Sequence, residues 1–269
     1  MGLADDAYNT KPRLKFLVQV FCGIILIISS KYTNQHESLV IQLFESNYLN
    51  YGITIFWVVA MMNSINMLDN MDGITAQTSF FIITTAIIFL SFNSGFEKYD
   101  FMICLGAIGS LIGFLFYNFH PSRMFMGDSG SQFLGLLVAI IGIKYFWNIE
   151  DFKTGTTIPT KQIVTVLIVF TLPIVDTTSV VINRIARKSS PFIGGKDHTT
   201  HHLSYLGFND TQISFIFAGI SFLSCIIAIS IYRFVHHWTW INTTLYLIYF
   251  LAIFLSLYFT TQQHKDKRQ

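Results

Sequence analysis

Eight apolar stretches, each near the length that a helix needs to cross a bilayer, constrain this chain more than any other feature. A transmembrane helix needs about 17–25 mostly apolar residues. The stretches lie near residues 14–30, 51–66, 74–92, 100–118, 131–147, 161–182, 211–233 and 241–261. Only 12% of the 269 residues are charged, roughly half the share in an ordinary soluble domain. We therefore predict an all-α, multi-span membrane protein of about eight transmembrane helices, forming a single domain over residues 1–269.

The basic residues predict which connecting segments share a membrane face. If residues 1–13 are cytoplasmic, alternation of the spans places residues 67–73, 119–130, 183–210 and 262–269 on the same side. Eleven of the 17 Lys and Arg residues are then cytoplasmic and six are not, as the positive-inside rule requires. The polar segments thus fall on one face, while residues 31–50 form a loop or small hairpin on the other. The net charge of +2 gives no support for a nucleic-acid partner.

The segment at residues 63–73, NSINMLDNMDG, places side-chain oxygens where the second span ends. Asn63, Asn66, Asp69 and Asp72 follow one another at three-residue steps. Amide and carboxylate oxygens are the ligands that Mg²⁺ prefers, and acids beside hydrocarbon are costly and usually functional. A turn would explain one Asp or Asn but not the five in this segment. We interpret it as part of a divalent-cation site.

The start of the chain combines acids with bases. Asp5 and Asp6 precede a stretch that holds Lys11, Arg13, Lys15 and Gln19. Acids favour a helix N-terminus and bases anchor a span at the interface, so a solvated helix start is one interpretation. The alternative is a carboxylate pair for a metal or a proton, with cations placed for phosphate.

The loop at residues 117–130, YNFHPSRMFMGDSG, also mixes opposite charges. Asp128 lies among small residues that permit a tight turn, and Arg123 and Asn118 lie in the same loop. Asp-Ser-Gly is typical of a helix cap. A carboxylate with a cation and an amide equally suits a phosphate that is carried with its metal.

The longest connecting segment on this face, residues 183–209, is basic and rich in histidine. Arg184 and Arg187 open it, and His198, His201 and His202 follow. No Cys or Glu completes a zinc set, so we predict anion binding by Arg and imidazole N–H groups. In the span before it, Thr177 and Thr178 would satisfy Asp176 locally, which leaves open whether Asp176 is structural or supports the site.

Four motifs on this face, in this order, resemble those of a bacterial enzyme family. They are LADD with the basic stretch that ends at Gln19, NSINMLDNMDG, FMGDSGSQFLG and SPFIGGKDHTTHHL. The chain resembles, from about residue 3 to 207, the polyprenyl-phosphate N-acetylhexosamine-1-phosphate transferases of glycosyltransferase family 4. These include the phospho-MurNAc-pentapeptide translocase and the undecaprenyl-phosphate GlcNAc-1-phosphate transferases. The segment KDHTTHHL is more similar to the GlcNAc-1-phosphate branch.

The resemblance implies a reaction and its participants. A UDP-N-acetylhexosamine, with UDP-GlcNAc as the first choice, gives its sugar 1-phosphate to undecaprenyl phosphate and releases UMP, starting a cell-envelope polysaccharide. It implies Mg²⁺ as cofactor, with Mn²⁺ as a substitute, and the bacterial cytoplasmic (inner) membrane with the active face cytoplasmic. A homodimer is left open. Family members usually carry about three spans before the acidic pair, so we expect the chain as given to lack them.

The predicted site residues fall into three groups. Asn66 and Asp128 are the expected metal ligands. The predicted catalytic residues are Asp5, Asp6, Asp69, Asp72 and Asp128. The predicted substrate-binding residues are Lys11, Arg13, Lys15, Gln19, Asn63, Arg123, Arg184, Arg187, His198, His201 and His202.

Three rival interpretations remain. An ion-coupled transporter would carry acids near mid-span, and here Asp176 alone lies well inside a span. An aspartyl intramembrane protease would need glycine where Phe125 stands. The third is a family member that is inactive because its first spans are missing.

Overall fold

A computed structural model describes residues 1–8, 10–32, 38–92, 98–152, 155–190, 195 and 197–263. Its described part is helical, with no strand of a sheet, which confirms the predicted all-α class. The helices are α1 (Gly2–Tyr8), α2 (Pro12–Ser30), α3 (Asn47–Leu68), α4 (Ile74–Phe92), α5 (Lys98–Asn118), α6 (Gly127–Gly142), α7 (Pro159–Val169), α8 (Thr171–Ala186), α9 (Thr199–Tyr205), α10 (Asp210–Phe234) and α11 (Trp240–Gln263). A π-helical segment, Ile143–Trp147, continues α6.

The described residues contain seven helices that are long and apolar enough to cross a membrane. The number becomes eight if the bent pair of α7 and α8 forms one further span. The chain is therefore a multi-pass membrane protein, with a span count in the predicted range.

The sixth predicted span, residues 161–182, is not one straight helix. It is divided at Phe170 into α7 and α8, whose axes differ by 80°. Pro173 has no N–H for the carbonyl of Val169, and its ring would clash with that carbonyl in a continuous helix. Pro173 is tolerated at its position in the first turn of α8. The N–H groups of that turn have no carbonyl partner within the helix, so the N–H that proline lacks is not needed.

The second predicted span, residues 51–66, is longer than expected, and the loop assigned to residues 31–50 is correspondingly shorter. Helix α3 begins at Asn47 because the polar groups at its start bind the segment before it. Asn50 Oδ1 accepts the N–H of Phe44 at 2.9 Å, and Thr54 Oγ1 accepts the N–H of Ile41 at 3.0 Å. The first three residues of α3 are exposed, and hydropathy alone did not assign them to the span.

Helix α3 is the centre of the bundle and packs against α2, α6 and α8. It approaches α6 closely at Gly135, where an added Cβ would lie 2.7 Å from Met62 Cα. Trp57 of the same helix packs edge-on against Trp147 and Phe170, and its indole N–H donates to the carbonyl of Ala139 at 3.1 Å. This tight contact brings the last turn of α3 beside the first turn of α6.

Candidate active site

Asp128, in the first turn of α6, is held by groups from two other helices. Asn66, in the last turn of α3, donates from Nδ2 to Asp128 Oδ1 and to Ser131 Oγ, each at 2.8 Å. Lys15 of α2 donates from Nζ to Asp128 Oδ2 at 2.5 Å and also forms an ion pair with Asp5. Both predicted metal ligands and one predicted phosphate-binding cation therefore meet at one point.

The two acids of α1 have different partners. Asp5 is buried and accepts the N–H of Thr10 at 2.8 Å. Its hydrogen bond with Asp128, followed by those from Lys15 and Thr10, outweighs burial and keeps the pKa of Asp5 below its ordinary value. Asp5 thus belongs to the cluster around Asp128.

Asp6 instead binds the N-terminus of α6. Its two carboxylate oxygens accept the N–H groups of Asp128 and Ser129 at 2.8 and 3.0 Å. The Ser129 side chain and the hydrogen bonds from these two N–H groups lower the pKa of Asp6. Gly127 makes this approach feasible, because its φ is +64° and a Cβ there would lie 3.2 Å from the Asp6 oxygens. The helix cap considered for Asp128 is thus supplied by Asp6.

Asp72 is bound by the loop that follows α5. Its carboxylate accepts the Ser122 hydroxyl at 2.8 Å and the Ser122 N–H at 3.1 Å, and His120 Nδ1 lies 3.1 Å from it. Burial raises the pKa of Asp72, but the bonds from Ser122 and His120 bring it below its ordinary value. Asn118 fastens the same two segments together, since Gly73 N–H donates to its Oδ1 at 3.0 Å.

Asp69, the residue that ends α3, differs from these acids. In the described part of the chain its carboxylate has neither an ion pair nor a side-chain hydrogen bond. Burial, followed by the negative charges of Asp128 and Asp72, raises the pKa of Asp69 to about 6. The site therefore carries more negative charge at Asp69 than its neighbours neutralise.

Two predicted substrate-binding residues, Gln19 and Asn63, form a buried amide network. Asn63 Nδ2 donates to Gln19 Oε1 at 2.8 Å, and Gln19 Nε2 donates to Gln132 Oε1 at 3.0 Å. The network joins α2, α3 and α6, the helices that carry Lys15, Asn66 and Asp128. In this structure the two amides hold the helices of the site together.

The basic segment after α8 is organised around Asp197. Arg184 donates to both Asp197 oxygens, at 2.9 Å from Nε and 2.7 Å from Nη2, and Arg187 donates at 2.8 Å. Burial would raise the pKa of Asp197, but the bonds and charges of Arg184, with the charges of His198 and Arg187, lower it to about 2. Arg184 is buried with Asp197, whereas the Arg187 side chain keeps 40% of its surface exposed.

The histidines follow on α9 and just before it. His198 is buried with its Nδ1 2.8 Å from Asp176, His201 is half-buried, and His202 is buried edge-on to Tyr205. Thr177 and Thr178, the local partners considered for Asp176, do not bind it; its partners are His198 and Thr199. These lie more than twenty residues later in the chain.

Helix α9 is joined to the Asp-rich turn, because Thr200 Oγ1 donates to Asn70 Oδ1 at 2.5 Å. The histidine motif and the NSINMLDNMDG motif are therefore neighbours, as the predicted single face requires. Lys11, Arg13 and Arg123 are exposed and form no ion pair with another described residue. The structure does not bring these three cations to the cluster.

Sequence reasoning missed four polar residues of the site: His120, Ser122, Ser131 and Thr200. Ser131 could have been found, because it lies three residues after Asp128 on the same helix face. The others contact residues about 50 to 130 positions away. No local sequence pattern predicts such pairs.

The residues present fit a hard divalent cation. Among the described residues, no group of three or more His, Cys, Asp and Glu side chains is arranged to hold a metal by itself. Mg²⁺ rarely needs such a cage, since one or two carboxylates, waters and substrate phosphates usually complete its shell. Asp128, Asn66 and the uncompensated Asp69 supply oxygen donors of that kind.

The helical membrane fold and this acidic site are matched by a known enzyme family. The family model described as "Glycosyl transferase family 4" matches residues 1–146. The chain belongs to this family, which confirms the resemblance seen in its motifs.

Individual relatives agree. The chain is 31% identical over 258 residues, 96% of its length and 68% of the relative, to a probable undecaprenyl-phosphate N-acetylglucosaminyl 1-phosphate transferase of Bacillus subtilis. It is 27% identical over 253 residues, 84% of its length and 65% of the relative, to a phospho-N-acetylmuramoyl-pentapeptide-transferase of Campylobacter jejuni. A protein of the latter name from Lactiplantibacillus plantarum is 26% identical over 248 residues, 86% of the chain and 70% of the relative. The chain spans about two thirds of the length of these relatives.

Proposed function

We propose that this protein transfers a sugar 1-phosphate from a UDP-N-acetylhexosamine, UDP-GlcNAc in the first place, to undecaprenyl phosphate. In the reaction, a phosphorus–oxygen bond to the lipid phosphate forms, the phosphorus–oxygen bond to UMP breaks, and UMP leaves. Family membership supports the reaction type, and the name of the Bacillus subtilis relative supports the sugar and the lipid. The observation that carries the proposal is the cluster of Asp69, Asp128 and Asn66, whose carboxylates carry more negative charge than the neighbouring cations neutralise.

In this proposal Asp128 and Asn66 hold Mg²⁺, or Mn²⁺ in its place, with Asp69 close to the same ion. When bound, the ion neutralises phosphate charge that would otherwise repel the attacking oxygen. Asn66 Nδ2 now donates to Asp128, so its Oδ1 is the amide atom suited to a cation.

Cations of the chain complete the site. Transfer of a phosphoryl group between two anions depends mainly on positioning and charge neutralisation. The Lys15 ammonium lies between Asp5 and Asp128, so it is placed to bind a phosphate oxygen beside the metal. Arg187, partly exposed on the basic segment, is available to the nucleotide.

An apolar pocket near the site is suited to the hydrocarbon part of a lipid substrate. It lies between α3 and the bent pair, has a volume of about 310 Å³, and is lined by Phe56, Trp57, Ile163 and Ile174 among others. Along α3 it extends from Ile53 to Ser64, which at 1.5 Å per residue is roughly 16 Å. Ser64 lies less than one turn before Asn66. A polyprenyl chain in this pocket would have its phosphate near Asp128.

The membrane placement follows from the same site. UDP-sugars are cytoplasmic metabolites in this proposal, so the end of the bundle that carries Asp128 faces the cytoplasm and the protein lies in the cytoplasmic membrane. The predicted excess of Lys and Arg on that side supports this orientation.

The test is UMP release from UDP-GlcNAc by the purified chain in lipid nanodiscs. Reactions contain or omit undecaprenyl phosphate, and contain Mg²⁺, Mn²⁺ or a chelator. We expect release that requires both the lipid phosphate and a divalent cation. If UMP were released only from another UDP-N-acetylhexosamine, that sugar would replace GlcNAc in the proposal. If UMP were released from none of them, the proposal for this chain would be overturned.

A further inference from the structure

Asp176 is a buried acid inside a membrane helix, and the three groups that bind it come from two residues of the histidine motif, His198 and Thr199. It lies in α8 and is 1% exposed. Its Oδ2 is 2.8 Å from His198 Nδ1, and its Oδ1 accepts the N–H and hydroxyl of Thr199 at 2.9 and 2.7 Å. Such an acid is costly in a membrane, so its retention requires a specific partner.

The contact determines the tautomer and the ring orientation of His198. A carboxylate oxygen accepts, so Nδ1 carries the hydrogen in this contact and Nε2 is the nitrogen left for other groups. Carboxylates that bind one ring nitrogen in this way fix the tautomer and orientation of the imidazole. The His198 ring lies edge-on to that of His201, with the centroids 6.1 Å apart, so the two imidazoles are neighbours.

Residues 197–200 form an unbroken series of attachments. Asp197 is held by Arg184, which lies two helical turns after Asp176 on α8. His198 and Thr199 are held by Asp176, and Thr200 is held by Asn70. Asn70 directly follows Asp69. One side of the segment is therefore fixed to the membrane helix and the other to the acidic turn.

We propose that Asp176 is a positioning residue, which fixes the orientation of His198 and the place of α9 relative to Asp69. It touches no reacting atom in this assignment and acts through His198. The consequence for the reaction rests on the proposed function: without Asp176, the histidine segment binds the UDP-sugar phosphates less well.

The experiment compares Asp176→Asn with Asp151→Asn. Asp151 is a matched control, because it is 3% exposed and pairs with Lys161 of α7, the other half of the bent pair. It lies at the opposite end of the bundle. We expect Asp176→Asn to raise the KM for UDP-GlcNAc by roughly tenfold, the lower end of the loss seen when the carboxylate partner of a metal-binding histidine is removed, with a smaller change in kcat. Asp151→Asn should leave this KM unchanged.

A double-variant cycle separates positioning from a general loss of structure. If Asp176 acts through His198, adding Asp176→Asn to His198→Ala should raise KM little further. Equal increments in the presence and absence of His198, or an equal KM rise in Asp151→Asn, would overturn the proposal.

Hydrogen exchange of residues 199–205 gives a readout without turnover. We expect faster exchange in Asp176→Asn than in Asp151→Asn or the unmodified chain. If Asp176→Asn does not fold, Thr199→Val takes its place: it removes only the hydroxyl bond to Asp176 and should still exchange faster than the unmodified chain. Unchanged exchange in both would refute the positioning role, whereas failure of the proposed function would appear as absent UMP release in the unmodified chain.

Discussion

The acids around Asp128 and the acids at the opposite end of this helical bundle are neutralised to different extents. At the end opposite the site, acids are matched one to one with lysines: Asp100 with Lys144, and Asp151 with Lys161 at 2.7 Å. At the site end, Lys15 pairs with both Asp5 and Asp128, His120 lies against Asp72, and Asp69 has no ion pair among the described residues. Among the described residues, the acids at the opposite end are thus neutralised, and the cluster around Asp128 keeps an excess of negative charge.

This difference distinguishes acids that stabilise the fold from acids that lack a neutralising cation. A buried pair such as Asp151 and Lys161 is complete, and Lys161 also donates to the Val235 carbonyl at 2.9 Å. An uncompensated buried carboxylate costs stability, and proteins accept that cost mainly where it serves function. The raised pKa of Asp69 marks such a place.

The largest expected effect is on Asp128. Replacing it by Asn removes a charged oxygen from the point where Lys15 and Asn66 meet, so we expect transfer to fall by at least about 10²-fold. The matched variant is Asp100→Asn at the opposite end, which should keep its turnover when assayed as folded protein in nanodiscs. Comparable losses in the two variants would remove the functional distinction between the ends.

A smaller effect is expected from pH, through Asp69. Its pKa is raised to about 6, so lowering the pH through 6 protonates the carboxylate and removes a charge that favours a cation. Mn²⁺ affinity, measured by electron paramagnetic resonance from pH 5 to 8, should be constant above about pH 7 and weaken below 6. The weakening should reach at most about tenfold per pH unit for one proton.

Asp69→Asn should abolish that dependence, because no proton is then exchanged at this position. Asp72→Asn should keep the dependence, because the carboxylate of Asp72 stays ionised over the same range, but should shift it to lower pH, because the Asp72 charge helps to raise the pKa of Asp69. A pH dependence that survives Asp69→Asn would assign it to another group.

The smallest effect on transfer is expected from Asp151→Asn, although its effect on stability is large. Removing one partner strands the buried Lys161 charge, which typically costs about 3–5 kcal/mol. Thermal unfolding in detergent should therefore occur at a lower temperature, while turnover per folded molecule stays the same. A variant of unchanged stability would show that the pair is not needed for the fold.

Sequence reasoning recovered the arrangement of the site better than its internal pairing. The three-residue steps from Asn63 to Asp72 predicted a polar helix end, and Asn66 does meet Asp128 there. The same steps suggested similar roles for residues that differ. Asn63 lies in an amide network, Asp72 is bound by Ser122, and Asp69 is left uncompensated, because each depends on a neighbour distant in sequence.

The bent pair illustrates the same limit. Hydropathy predicted one span over residues 161–182, whereas the structure divides it at Phe170 into two helices whose axes differ by 80°. Likewise, Asp176 was evident as an intramembrane acid, but not its bonds to His198 and Thr199.

The sequence by itself determined the class of protein, the approximate spans and the face on which the polar motifs gather. These depend on hydrophobic length and on chain alternation, which are properties of continuous segments. Tertiary structure alone decided which carboxylates are neutralised and which is not. That outcome depends on how closely separate helices approach, as at Gly135 against Met62, and on which side chains then come within hydrogen-bonding distance.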